Sequence, residues 1–147
     1  MRSDSLYTVG IHSLVMIGLY DDQRVTSQIV ARSIGCNPVI VRNTFTKLRS
    51  AGLLIPGKGL KRTTLGRPAE KITLYDVFCA TESDDAKRMF KMYPVNQCCP
   101  IAGDLHRAMS AAFEDAKESM MSTLSKTTIA DLIDSIPPEK RILPEMD

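Results

Sequence analysis

The sequence predicts a mainly α-helical protein: a winged helix-turn-helix domain with a small β-hairpin wing, followed by a long C-terminal dimerisation helix. Three observations predict this fold class. Apolar residues recur at helical spacing in three segments of the first fifty residues. Two short apolar or β-branched segments then flank a Gly- and Lys-rich tip, as in a hairpin. A further helical periodicity begins near residue 101.

Composition limits the class of protein. A chain of 147 residues fits one domain, or one small domain with an appended element, and 44% hydrophobic with 24% charged residues is typical of a globular chain. The longest apolar run, 13–20, is too short to span a bilayer, and the N-terminus lacks a signal-peptide pattern. The four Cys form no disulfide framework and no paired CxxC. We therefore expect a cytoplasmic protein in a reducing compartment.

The charge is unevenly distributed along the chain. The segment 23–71 contains ten Lys or Arg and one acid, a net charge of +9, whereas the remainder carries nine basic and sixteen acidic residues, a net charge of −7. Ordinary solvated surfaces mix both signs, so a segment that nearly excludes carboxylates indicates a polyanionic partner. This pattern favours double-stranded DNA.

The first two helices follow from apolar spacing and capping residues. The first is predicted over 6–20 and ends at two aspartates. Thr26 is a suitable N-cap for a short second helix that buries Ile29, Val30 and Ile34. The dipeptide Gly35-Cys36 then turns the chain, as expected between the two helices of a helix-turn-helix unit.

The third helix is predicted over 38–50 and is the expected recognition helix. Asn37 caps it, and Pro38 occupies the first turn, where its missing N–H costs nothing. Gly52 follows as a residue that tolerates the left-handed conformation at a helix end. The apolar side of this third helix consists of Ile40 or Val41, with Phe45 and Leu48. The opposite side is polar and basic, which suits a helix that enters the major groove.

The candidate DNA contacts divide by chemistry. Arg42 and Asn43 suit the edges of guanine and adenine, whereas Thr46 and Lys47 suit phosphates or a thymine methyl. The wing, 56–66, supplies basic side chains for phosphates or the minor groove, and the start of the second helix offers hydroxyls and free amides to a phosphate. The predicted DNA-binding residues are Thr26, Ser27, Asn37, Pro38, Val39, Arg42, Asn43, Thr46, Lys47, Lys58, Lys61 and Arg62.

The segments NPVIVR, ITLYDV and CPI…AF…L…TTIADL together resemble the Rrf-two family of bacterial winged-helix transcription regulators. The resemblance covers nearly the whole chain. It implies a homodimer whose two recognition helices enter the half-sites of a palindromic operator, with the long C-terminal helix forming the dimer contact. Repression is the commoner mode of the family and is the expected one. The wing departs from the pattern, since GKGLKRTTLG replaces the usual glycine run that ends in Gly-Tyr.

The periodicity of the C-terminal region supports a dimer independently of the resemblance. The expected interface residues are Leu105, Met109, Ala112, Phe113, Ala116, Met120 and Leu124. A second stripe, formed by Ile101, Ala108, Ala111 and Met121, indicates burial on more than one side, whereas a single stripe needs no partner. Thr128 caps a final helix over 129–135. The expected organisation is a DNA-binding domain over 1–82, a connecting loop over 83–100, dimerisation and terminal helices over 101–136, and a loose tail over 137–147.

The positions of the cysteines bear on whether the protein could sense a signal through an iron–sulfur cluster. Cluster-binding relatives have three closely spaced Cys before the dimerisation helix, whereas here only Cys98-Cys99 matches the end of that pattern, and residues 83–97 contain none. His106 lies where a fourth ligand would be sought, and Cys79 is expected to be buried on the preceding helix. Because clusters need several suitably placed ligands, no iron–sulfur cluster and no metal are expected. The chain is most similar to the cluster-free, YwnA-like members.

The sequence leaves alternatives to a regulator that only binds DNA. Cys36 lies directly before the recognition helix. A disulfide between Cys36 and Cys98 or Cys99 of a second chain would make a thiol switch. The favoured alternative is that these cysteines are unreactive and serve only in packing, since free Cys is commonly buried and inert. An iron–sulfur sensor and a winged-helix module that binds protein are the alternatives, and the second would lack the excess of positive charge. No catalytic motif is present, so an enzyme is not expected. No small-molecule substrate is indicated.

Overall fold

The computed structural model describes residues 6–20, 23–57, 63–82 and 89–142, and these contain six helices and one two-stranded sheet. The winged-helix order predicted from the sequence is confirmed. In chain order the elements are α1 Leu6–Leu19, α2 Ser27–Ile34, α3 Pro38–Ser50, β1 Leu54–Pro56, β2 Thr63–Leu65, α4 Leu74–Thr81, α5 Ala102–Leu124 and α6 Ile129–Asp134, with 3-10 turns at Ala69–Lys71 and Pro138–Lys140.

One apolar core joins α1 to α4 with α6. Leu14 of α1, Leu48 of α3, Val77 of α4 and Ile129 of α6 are all fully buried in the same cluster. Helix α1 is apolar on most sides because it packs against α2, α3, α4 and α6. Helix α6, which follows the long α5 in the chain, therefore contributes Ile129 to the core of the winged-helix unit, and Ile133 packs against that core.

Two equivalent capping boxes bring the C-terminal segment back to that core. The hydroxyls of Thr73 and Thr128 each accept the backbone N–H of an Asp three residues later, and the carboxylates of Asp76 and Asp131 accept the threonine N–H in return. Thr73 and Thr128 also pair as an antiparallel bridge. The motifs ITLYD and TTIAD therefore start two helices side by side.

The wing is anchored at its base. Strands β1 and β2 are antiparallel, with Leu54 opposite Leu65 and Pro56 opposite Thr63. Beyond the paired strands, the N–H of Gly66 donates to the carbonyl of Leu53 at 2.9 Å, which extends the pairing to the end of α3. The root of the hairpin is thus fixed against the end of α3.

The C-terminal tail differs from the expected loose segment. Residues Pro138–Lys140 form a 3-10 turn. The Arg141 guanidinium donates to the carbonyls of Ile133 at 3.1 Å and Ile136 at 3.0 Å, so it adds a side-chain cap to the end of α6. Sequence reasoning missed this cap because the cation lies seven residues beyond the helix. The rest of the predicted tail, 143–147, lies outside the described residues.

Candidate nucleic-acid interface

The start of α3 is built by local capping interactions. The Asn37 side chain accepts the N–H of Val39 at 2.9 Å, and Pro38 stands in the first turn, both as predicted. Gly35 takes the left-handed conformation, with φ of 86°, and so ends α2 and redirects the chain. Within the predicted contact set, Val39 is 48% exposed, which leaves an apolar side chain at the leading end of the helix.

Helix α3 presents two chemically distinct faces. Val41, Phe45 and Leu48 are buried, as predicted, and Thr44 joins them because its hydroxyl donates to the carbonyl of Ile40 at 2.8 Å. The outward face consists of four exposed polar or basic side chains, Arg42, Asn43, Thr46 and Lys47. The basic face of this helix is therefore free of the core and available to an external partner.

A groove joins the outward face to two other elements. It has a volume of about 310 Å³ and is lined by the start of α2, by α3 and by β2. Thr26 and Ser27 lie on one wall, and Arg42 and Thr46 lie on the other. The Thr26 hydroxyl accepts the N–H of Ile29 at 3.2 Å, so it caps α2 as predicted. The structure thus brings together candidate residues that the sequence separates by fifteen positions or more.

Arg49 is a residue of this groove that sequence reasoning counted only as charge. Its guanidinium donates to the hydroxyl of Thr63 at 3.2 Å and lies 5.8 Å from the centre of the Phe45 ring. Because Thr63 belongs to β2, Arg49 ties the wing to the recognition helix and fixes their relative direction. The i, i+4 spacing of Phe45 and Arg49 was the available signal.

The remaining basic residues divide between described and undescribed positions. Lys58, Lys61 and Arg62, the predicted wing contacts, lie outside the described residues. Arg67 forms an ion pair with Asp76 at 3.1 Å, so its charge is directed toward the start of α4. Among the residues that the structure describes, the basic side chains that line the groove therefore belong to α3.

Helix α5 is the longest element and buries none of its residues. Of the expected interface residues, Leu105 is 44% exposed, Ala112 and Ala116 are exposed, and the other four are half-buried. The half-buried side is covered by the preceding loop, where Phe90 stacks on Phe113 with ring centres 4.7 Å apart. The side that contains Leu105, Ala112 and Ala116 has no comparable cover within the described chain.

The four cysteines lie within the described residues and form no disulfide there. Cys36 is half-buried beside the core, Cys98 is exposed, and Cys99 is half-buried. Cys79 was expected to be buried, and this expectation is wrong, because the residue lies on the outer side of α4 and is exposed.

The residues present do not fit an iron–sulfur cluster. Cys98 and Cys99 are adjacent, and within the described ranges no three His, Cys, Asp or Glu side chains converge as metal ligands. A cluster held by protein ligands requires several thiolates or imidazoles around one position. We therefore derive no function through such a group.

The three-helix core, the exposed basic face of α3 and the wing root define a winged helix-turn-helix DNA-binding protein of the regulator class. The family model of Rrf2, described as an iron-dependent transcriptional regulator, matches residues 4–135. The chain belongs to the Rrf2 family. It is accordingly a DNA-binding transcription regulator rather than an enzyme. No helix in the described ranges is long and apolar enough to cross a membrane.

Individual relatives agree with the family assignment. The HTH-type transcriptional regulator YwnA of Bacillus subtilis strain 168 is 26% identical over 133 residues, which cover 90% of this chain and 98% of YwnA. A solved structure described as a DNA-binding protein is 26% identical, with a TM-score of 0.70 over 88% of this chain and 99% of that one. The T. potens IscR structure is 15% identical, with a TM-score of 0.68 over 95% and 91% of the two chains, and it supports the fold.

Proposed function

We propose that the protein is a homodimeric, sequence-specific repressor that places α3 in the major groove at each half of a palindromic operator. The observation that carries this proposal is the groove shared by the exposed face of α3, the start of α2 and the root of the wing. A recognition helix can enter the major groove while a neighbouring helix start and a wing meet the flanking phosphates. Selection of bound sequences from random DNA tests the proposal, and enrichment of no two-fold symmetric site contradicts it.

The chemistry of the exposed α3 face supports DNA over a protein partner. Arg42 and Asn43 can each make bidentate contacts to a base edge, whereas a protein-binding face would be expected to be more apolar. Val39 is the one large apolar side chain among the exposed residues of α3. An apolar contact of this kind suits a thymine methyl group.

The open side of α5 supports the dimer. A helix of 23 residues is about 35 Å long, and most helical stability comes from packing of an apolar face. Ile101 and Leu105 are 65% and 44% exposed, and small alanines continue the same side toward the C-terminus. A second copy would cover this surface, and two-fold pairing would space two recognition helices for half-sites about 34 Å apart.

We expect Arg42→Ala and Lys47→Ala to weaken operator binding in different ways. Arg42→Ala should cost about 1–3 kcal/mol on the operator and relax base preference at one position, since a bidentate base contact is lost. Lys47→Ala should weaken all sequences alike and reduce the salt slope by about one unit, since a phosphate contact is lost. Fluorescence anisotropy on the operator and on single-base variants at several salt concentrations measures both effects.

The matched control for these variants is Arg107→Ala. Arg107 lies on α5, where it pairs with Asp104, and its side chain is 75% exposed. Its removal should leave operator affinity unchanged. Identical behaviour of the Arg42 and Lys47 variants would contradict the separation of base reading from phosphate contact.

Thiol sensing is a second candidate for the regulatory input. Cys98 is exposed in the loop before α5, and Cys36 lies in the turn before α3, so a disulfide between two copies would join the sensor loop to the DNA-reading unit. We expect peroxide to produce a crosslinked dimer on non-reducing electrophoresis, and Cys36→Ser to prevent it. Absence of a crosslink in the wild-type protein ends this candidate.

A further inference from the structure

A second concave site lies apart from the DNA-binding groove. It has a volume of about 520 Å³, within the range of about 300–1,000 Å³ typical of small-molecule sites. Its walls come from α1, the last turn of α2, α6 and the 3-10 turn that follows α6. It shares no lining residue with the groove beside α3. The two sites therefore do not overlap.

The body of this cavity is aliphatic. The aliphatic side chains that line it come from α1 and from the C-terminal segment, and they are Ile11, Val15, Leu19, Leu132, Ile136 and Ile142, together with Met16 of α1. Ile142 is 75% exposed, which is unusual for an isoleucine beside an apolar cavity. An aliphatic ligand would remove these side chains from water at about 25 cal/mol per Å².

The cavity also has one cation, Lys140, and five uncharged polar residues, Thr8, His12, Tyr20, Ser33 and Ser135. His12 Nε2 lies 2.9 Å from the Ser33 hydroxyl, so the imidazole and the hydroxyl form one hydrogen-bonding unit. Burial lowers the pKa of His12, so this side chain is neutral near pH 7. Lys140 also lines the cavity, and no ion pair links it to an acid within the ranges the structure describes. The charge of the site is therefore positive.

We propose that this cavity binds a small amphipathic carboxylate, with its aliphatic body between α1 and α6 and its carboxylate beside Lys140. The cavity offers one cation, uncharged hydrogen-bonding groups such as the His12–Ser33 pair, and an aliphatic wall, and these match a single anionic head on an apolar chain. An ammonium ligand would meet like charge, and a fully polar anion would leave the aliphatic walls unpartnered.

The position of the cavity makes the ligand an effector of DNA binding, and this step rests on the proposed function. Ser33 lies in the last turn of α2, two residues before Gly35, whose left-handed backbone leads into α3. On the other side, Leu132 and Ile136 belong to the segment that returns from α5. A bound ligand therefore contacts both the helix-turn-helix unit and the C-terminal segment.

The direct test is calorimetric titration of the full-length protein with octanoate and with octan-1-ol. We expect octanoate to bind at one site per chain and more tightly than octan-1-ol. Lys140→Met should weaken octanoate about tenfold and leave octan-1-ol unchanged, because only the charged contact is lost. Lys126→Met, which removes an exposed lysine outside the cavity, is the matched control and should bind octanoate like the wild type.

Other outcomes overturn the inference. The inference fails if octanoate does not bind at concentrations up to about 10 mM. It also fails if octan-1-ol binds as tightly as octanoate, or if Lys140→Met leaves the affinity for octanoate unchanged. Val15→Phe should fill the cavity and abolish binding of both probes, and retained binding in this variant would place the ligand elsewhere.

The effector step has its own readout. Saturating octanoate should change operator affinity by about fivefold or more, and an unchanged affinity would refute the effector role. Failure of the protein to bind operator both with and without octanoate would instead count against the proposed function. The calorimetric result does not depend on DNA, so the two failures are distinguishable.

Discussion

Substitution of Gly66 by alanine should destabilise the protein by at least about 3 kcal/mol, since the position has no room for a methyl group. A Cβ on Gly66 would overlap the carbonyl oxygen of Gly52 and lie 2.9 Å from the carbonyl carbon. Both contacts are to backbone, which cannot move aside like a flexible side chain. The strain falls where the wing meets the end of α3, because the Gly66 N–H donates to Leu53.

Urea or thermal unfolding followed by circular dichroism measures this loss, which corresponds to a fall in Tm on the order of 10 °C. Gly103→Ala is the matched control. Gly103 lies near the start of α5, where the nearest atom to an added Cβ is 3.9 Å away, so alanine should stabilise the helix by about 0.5–1 kcal/mol. Equal stability of the Gly66 variant and the wild type would show that the wing root is not packed as described.

If the protein forms the proposed dimer, the double substitution Ala112→Glu and Ala116→Glu should convert it to a monomer and weaken operator binding by about 100-fold or more. Both alanines are exposed on the open side of α5, so in a single chain the new carboxylates would remain in water and cost little. In the proposed dimer the same carboxylates would be buried against like charges from the second copy. Light scattering after gel filtration measures the oligomeric state, and anisotropy measures the affinity.

Ala111→Glu is the matched control for that variant. Ala111 belongs to the second stripe expected to be buried, but it is exposed on α5 and lies on the charged side with Arg107, Glu114 and Glu118 at helical spacing. We expect it to remain dimeric with unchanged operator affinity. Circular dichroism should show that both variants are folded, since the core of α1 to α4 and α6 does not include α5. A double variant that is still dimeric would contradict the assignment of this surface.

Much of the local structure could be predicted because it depends on neighbours in the chain. Asn37 and Pro38 start α3, Thr26 caps α2 and Thr128 caps α6, all as predicted, since a cap and its acceptor lie within a few residues of each other. The recognition helix matches its predicted range, 38–50. The predicted boundaries of α1 and α6 are each one residue too long.

The candidate site was only partly predictable. Charge counting and helical periodicity identified the exposed face of α3, because both are properties of the sequence alone. They did not identify Arg49 as the link to Thr63, because that contact depends on the path of the wing. The exposure of Cys79 was also missed, since periodicity indicates which residues share a face and not which face the fold covers.

The sequence by itself determined the helices, their caps, the hairpin and the concentration of positive charge between residues 23 and 71, because these features depend on short-range geometry and composition. Only the tertiary structure decided which residues of α1 meet α6, that Arg141 caps α6 and that a cavity forms against α1. The contact of α1 with α6 and the cavity join residues more than one hundred positions apart, and the Arg141 cap depends on the path of the chain after α6. Their formation depends on how whole helices pack, which no local pattern encodes.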